Sequence, residues 1–273
     1  MELQKNDYLD PACPFDSSAY TGKAETIPVR RVLEKVDDYL GRNDYDGAER
    51  TLLYWLGEAR RGGDGRGELS VRNELMGLYR KQGRGEEAVA QAELALGLAD
   101  TLGLEGSVTA GTTLVNAATV YKAFSQADRA IGLYEQARSI YEQKLPPRDD
   151  RLGGLYNNMA LALTDLARYG EARDLYAKAL WVMGQAPNGA LEQAITWLNL
   201  ADLAAAEQGL EAADEDICDC VDRAWELLQA PELPRDGYYA FVCEKCAPTF
   251  GYYGYVARKT RLLQQAEEIY AGA

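Results

Sequence analysis

Six alanines set the frame of this chain. Ala48, Ala88, Ala130, Ala172, Ala213 and Ala257 follow one another at intervals of 40, 42, 42, 41 and 44 residues. Nine positions before the first five stand Tyr39, Tyr79, Tyr121, Leu163 and Ala204. Seven positions after the middle four stand Ala95, Ala137, Ala179 and Cys220, all small. Self-similarity at such a period means a stacked array in which no single unit buries its own apolar face. Within a unit, apolar residues recur every three or four positions in two successive runs, which predicts two amphipathic helices. The small residues have a packing reason, because helix axes about 8–10 Å apart leave no room for large side chains where they cross.

Gly and Pro punctuate the units at RRGGDGRG (60–67), PPRDD (146–150), APNG (186–189) and PELPRDG (231–237), where helices are expected to stop. The predicted fold is all-α: a right-handed superhelical solenoid of about six helix-turn-helix repeats. The repeats are placed near 27–62, 67–104, 107–147, 150–187, 189–231 and 236–271 of a single unit spanning 27–273. Residues 1–26 lack the period and contain Pro11, Pro14 and Gly22, so they are expected to form an extended or disordered leader.

The strings DYDGAERTLLYWL, GEEAVAQAELAL, VNAATVYKAFSQADRAIGLYEQARSIYEQ, LYNNMALALTDLARYGEARDLYAKAL and WLNLADLAAAEQGLEAADEDI resemble tetratricopeptide repeats. Their length and LNNLA-like opening are most similar to the long, about 42-residue repeats of the kinesin light chain type. The resemblance covers roughly 28–230 and, more weakly, 236–271. It departs from the pattern at Trp55 in repeat one and at Pro248 and Gln264 in repeat six. It implies that the first helix of each repeat lines a concave groove, where a ladder of asparagines grips peptide backbone in several relatives.

An asparagine series fits that role. Asn116, Asn158 and Asn199 each lie five residues before Tyr121, Leu163 or Ala204, and Glu74 holds the same place in repeat two. Asn73 and Asn157 lie one residue earlier and join the candidate groove set. A side-chain amide both donates and accepts, so a row of them can hold an extended backbone. The expectation is that Asn116, Asn158 and Asn199 share one groove with amides free of intramolecular partners. Charge adds a second feature. Residues 30–84 carry 12 basic against 10 acidic side chains in a chain whose net charge is −14. Arg80 and Lys122, each one residue beyond a repeat tyrosine, are placed toward the groove with Arg72 and Lys81 nearby, where they could hold a carboxylate or an acidic partner segment.

Other chemistry is poorly supported. The chain has no histidine, which removes Ser-His-Asp and Cys-His dyads together with imidazole metal sites. Its acidity repels nucleic acid and anionic membranes, and no stretch approaches 18 consecutive apolar residues. Cys218, Cys220, Cys243 and Cys246 do not suit zinc, since residues two apart on a helix point about 200° apart. Five cysteines give no disulfide framework and suggest reduced thiols in a cytoplasm. Glu215, Asp219, Asp222 and Glu226 form an acidic stripe read as a solvated outer face. The terminal cluster Tyr238, Tyr239, Tyr252, Tyr253 and Tyr255 is expected to cap the array and to offer a weak self-association surface.

These features point to a non-enzymatic, cofactor-free adaptor or scaffold that holds an extended peptide or a partner's tail. No metal, nucleic acid or membrane is expected to take part. Two alternatives remain: a peptide-sensing regulatory receptor without a DNA-binding domain, and a self-associating structural protein. An enzyme is disfavoured because an open solenoid surface should offer no enclosed pocket.

Overall fold

The computed structural model describes residues 26–186 and 189–272; the expected leader, apart from residue 26, lies outside them. Among the described residues there are twelve helices and no strand. They run α1 (Val29–Leu40), α2 (Tyr45–Gly62), α3 (Gly65–Lys81), α4 (Gly85–Thr101), α5 (Val108–Ala123), α6 (Ala127–Lys144), α7 (Asp150–Asp165), α8 (Tyr169–Met183), α9 (Ala190–Gln208), α10 (Asp214–Leu228), α11 (Gly237–Tyr252) and α12 (Val256–Gly272). Each odd helix packs on the even helix that follows, and the pairs stack in order, giving an all-α repeat solenoid.

The turn inside each pair shows how sequence sets the local geometry. Asn43, Gly83, Ser125, Ala167, Gly209 and Gly254 all adopt positive φ at the same place in their repeats. Gly83 takes that conformation freely, whereas Ala167 at φ 57 carries a steric penalty of roughly 1–2 kcal/mol. Tertiary packing on both sides therefore overrides local preference in repeat four. Side chains cap several helix starts, among them Asp44, which accepts from the Gly47 amide, and Asp64, which accepts from the amides of Gly67 and Ile27.

The alanine register is where the helices cross. Ala48, Ala88, Ala130, Ala172 and Ala213 are wholly buried, as are Ala95, Ala137 and Ala179. Ala257 is the exception and is exposed; in the last helix the buried positions are Leu262 and Ala266. Among the described residues no element packs on the outer side of that helix, and only one stripe of it is buried. Pro248 sits inside α11 without ending it.

The odd helices also touch one another in succession, from α1 through α11, and no even pair does so to a comparable extent. The odd helices therefore line the inner, shorter side of the curve. The curve is tight enough to bring the two ends together. A Cβ built on Gly237, at the start of α11, would lie 2.7 Å from the Cα of Gly41, just after α1. Lys81 Nζ, at the end of α3, sits 4.3 Å from the centre of the Phe241 ring of α11. Between these contacts lies a cleft of about 340 Å³ walled by Leu40, Tyr45, Lys81, Tyr238, Phe241 and Tyr270. Repeat six thus returns to repeats one and two, and the cleft between them stays open to solvent.

Candidate functional site

The inner helices bring the asparagines together, but not as a row of free amides. Asn116 Nδ2 of α5 donates to Asn73 Oδ1 of α3 at 2.9 Å. Asn73 Nδ2 in turn donates to the Leu69 carbonyl at 2.9 Å and to Thr113 Oγ1 at 3.1 Å. Two repeats later the arrangement recurs. Asn199 Nδ2 of α9 donates to Asn157 Oδ1 of α7 at 2.9 Å, and Thr196 Oγ1 donates to the same oxygen at 3.0 Å. Asn157 is only 4% exposed, so its oxygen depends on these donors. The expectation of free amides is therefore overturned for Asn116 and Asn199. Asn73 and Asn157 are the halves of two inter-repeat clasps, not open groove positions.

Asn158 differs. It is half-buried, and its side chain makes no hydrogen bond among the described residues. The reason lies one repeat upstream. The position that Asn73 and Asn157 fill in their repeats is Val115 in repeat three, and a valine cannot accept from an amide.

Four cations stand along the same side. Lys122 pairs with Asp165 at 3.5 Å, and Lys81 is held over Phe241. Arg80 and Lys245 have neither an ion pair nor a hydrogen bond among the described residues. Burial lowers the pKa of Arg80. Lys245 is exposed; desolvation lowers its pKa, the charges of Glu192 and Cys246 oppose that shift, and those of Arg80 and Lys122 add to it. Desolvation also raises Glu74 and Asp202. Asp202 accepts from the Tyr253 hydroxyl at 2.8 Å, and Glu192 accepts from that of Tyr238, so both acids already have donors. Arg72, expected near the groove, is buried and held by Glu68 at 2.5 Å and Gln91 at 2.6 Å. It belongs to the junction between α3 and α4.

Lys245 escaped sequence reasoning because it lies in the degenerate sixth repeat, where no register ties it to Arg80. Only the closing of the curve does so. The clasps were accessible in principle, since Asn73 to Asn116 and Asn157 to Asn199 are separated by one repeat length; the signal was a pair one residue out of register.

The remaining candidates fall elsewhere. Burial pushes the thiols of Cys220 and Cys243 up to about 11 and that of Cys246 up to about 12, which keeps them protonated and weakly nucleophilic. Glu215, Asp219, Asp222 and Glu226 are exposed, and Asp222 pairs with Arg258 of α12 at 2.6 Å. Tyr239 is buried, whereas Tyr238 and Tyr252 are exposed. Among the described residues no helix is long and apolar enough to cross a membrane, and no three His, Cys, Asp or Glu side chains converge on a metal site.

Tetratricopeptide repeat models match residues 68–143 and 153–180. The crystal structure of BtubC (BKLC) from P. vanneervenii is similar, with a TM-score of 0.60 at 24% identity over 73% of this chain and 79% of that chain. TPR-like repeats ascribed to a kinesin light chain of Podosopora anserina superpose with a TM-score of 0.49 at 18% identity over 75% of this chain and 95% of that one. No curated protein sequence matches the chain. At these identities the likeness speaks for the fold alone.

Proposed function

We propose that this tetratricopeptide-repeat chain is a non-enzymatic protein-interaction scaffold that holds an extended, acidic segment of a partner protein along its inner face. The repeat fold generally serves protein–protein interaction. One observation carries the finer reading. Along the inner side most polar groups are satisfied by their neighbours, while Asn158, Arg80 and Lys245 are left with unused hydrogen-bonding capacity. Half-buried polar groups such as Asn158 and Arg80 that lack partners carry a desolvation cost, and a ligand backbone or carboxylate that pairs with them removes it. Lys122 adds positive potential from the next helix. Asn116, Asn199, Asn73 and Asn157 contribute by fixing the spacing of the helices on either side of Asn158. We place the protein in the cytoplasm, in keeping with its free cysteines.

The test uses partners captured from the native lysate by the full chain. Asn158→Arg on the inner side should release the bound protein, whereas Leu94→Arg, at an exposed leucine of α4, should not. Equal retention by both variants would remove the inner face from the reading.

A second reading has its own observation. Leu210 and Tyr252 are exposed together around a cleft of about 420 Å³ in the last two repeats, a surface suited to a second copy of the chain. Sedimentation equilibrium of the wild type and of Tyr252→Lys would separate the two, since only self-association predicts a dimer abolished by that change.

A further inference from the structure

The acid-rich helix α10 lies on the outer side of the array between two clefts. One, of about 420 Å³, is walled by Leu210, Ile217, Tyr252, Tyr253 and Tyr255 together with Asp214. The other, of about 310 Å³, is walled by Trp197, Leu200 and Leu203 together with Asp216 and Asp219. Asp214, Ile217 and Cys218 fall on one side of α10, whereas Asp216, Asp219 and Cys220 fall on the opposite side. The clefts therefore flank the same turns of one helix and lie about one helix diameter, 10–12 Å, apart. Glu215 is exposed on the ridge between them.

The charge of this face is not balanced from within. Residues 207–226 carry eight acidic side chains against the single basic Arg223. Three of the acids have cations: Glu207 pairs with Arg173, Asp222 with Arg258 at 2.6 Å and Glu226 with Arg223 at 3.3 Å. Glu211, Asp214, Glu215, Asp216 and Asp219 have no ion pair among the described residues. The dipole of α10 favours acids in its first turn, but Asp219 lies beyond that turn and Glu211 outside the helix.

The same face shows how it accommodates a cation. The Arg258 guanidinium lies 4.6 Å from the centre of the Tyr255 ring while it pairs with Asp222. Tyr252 and Tyr253 offer two more rings, set edge-on at 5.0 Å, and Tyr252 is 69% exposed. The Tyr253 hydroxyl donates to Asp202, which fixes its ring. A planar guanidinium can stack on such a ring and pair with a carboxylate together, which the compact charge of lysine does less well.

We infer that the outer face around α10 is a second interaction surface, which takes an arginine-rich segment of a partner protein with one side chain in each cleft. In an extended segment, residues four apart share a side and span about 13 Å, enough to reach both clefts, with the residue midway over Glu215. A second copy of the chain would bring the same carboxylates to the contact, whereas a basic segment neutralises them. This surface goes beyond the scaffold reading of the inner face and does not depend on it.

Calorimetry on the full chain compares hexa-arginine with hexalysine and hexaglutamine, while hydrogen exchange follows residues 210–220 and 252–255. Hexa-arginine should bind about threefold more tightly than hexalysine and at least about tenfold more tightly than hexaglutamine, and it should slow exchange in both segments. Asp214→Asn and Asp219→Asn should each weaken it about threefold and together about tenfold, because they stand in different clefts. Tyr252→Ala, at an exposed ring, should cost about threefold. The control pair Asp100→Asn with Glu105→Gln removes two exposed charges far from α10 and should leave binding within about twofold.

An equal loss in the control pair would reduce the attraction to overall charge and overturn the surface. Unchanged affinity in Tyr252→Ala, or hexalysine bound as tightly as hexa-arginine, would overturn the arginine assignment. A wild-type dimer abolished by Tyr252→Lys would give this face to a second copy and overturn the proposal as well. Asn158→Arg should leave hexa-arginine binding unchanged, and a loss there would place the peptide on the inner face instead. If hexa-arginine fails to bind while Asn158→Arg still releases a captured partner, this surface falls and the scaffold reading stands.

Discussion

The junction between repeats two and three and the junction between repeats three and four use the same helix positions to opposite ends. In the first, Asn73 on α3 accepts from Asn116 and donates to Thr113, so the two inner helices are tied by a polar clasp. In the second, Val115 stands where Asn73 would be and Leu155 where Thr113 would be, and Asn158 has no partner among the described residues. The next junction reverts to the clasp, with Asn157, Thr196 and Asn199. What an asparagine does here is decided by a residue in the preceding repeat. A repeated side chain is not by itself a repeated function: the amide becomes available to a ligand only where the neighbouring unit fails to use it.

Breaking the stronger clasp should have the largest effect. Asn157 is nearly inaccessible, and its oxygen serves Asn199 and Thr196 together. Asn157→Ala should cost about 2 kcal/mol, from an amide left short of an acceptor and a small void in the core. The midpoint of urea unfolding measures it. The equivalent change in the first clasp, Asn73→Ala, should cost about 1 kcal/mol, because Asn73 and Asn116 are half-buried and water can replace the lost bond. Equal costs at the two sites would show that burial does not set the difference.

The contrast between the junctions also marks how far the sequence can be read. The period, the wholly buried alanines and the position of the turns were legible because each follows from contacts within a repeat or with the next one. The clasps were less so. They require pairing a residue with one a full repeat away and one position out of register, and Asn73 and Asn157 look like ordinary polar neighbours until the inner helices are in place. Closure was not legible. It depends on small rotations summed over five junctions, and Gly41, Gly237, Phe241 and Lys245 carry no local signal for it. Ala257 failed for a simpler reason: among the described residues α12 is covered on one side only, through Leu262 and Ala266, and Ala257 lies off that stripe.

A milder test separates stability from binding at the unclasped junction. Asn158 makes no side-chain hydrogen bond among the described residues, so Asn158→Ala should change stability by less than about 0.5 kcal/mol. It should nonetheless weaken capture of the partner, by a few-fold if one amide-to-backbone bond is lost. A large loss of stability would mean that the amide is structural after all, and the two junctions would then differ less than their hydrogen bonds suggest.

The most discriminating change has the smallest expected effect on stability. Val115→Asn would give repeat three the residue that repeats two and four already have. By register the new side chain meets Asn158 as Asn73 meets Asn116, and its own amide can reach the carbonyl of Gly111 as that of Asn73 reaches Leu69. Half-buried apolar surface is lost and a hydrogen bond is gained, each on the order of 1 kcal/mol, so the net change should stay within about 0.5 kcal/mol. Binding should fall as it does in Asn158→Ala, because the amide is now engaged within the fold. Val115→Ala provides the control: it loses similar apolar surface, supplies no acceptor, and should destabilise by about 1 kcal/mol while leaving binding intact. If Val115→Asn kept full binding, Asn158 would not be the group that meets the partner. If instead it destabilised as much as the alanine variant, the third junction could not form the clasp, and the difference between the junctions would lie in helix spacing, not in one side chain.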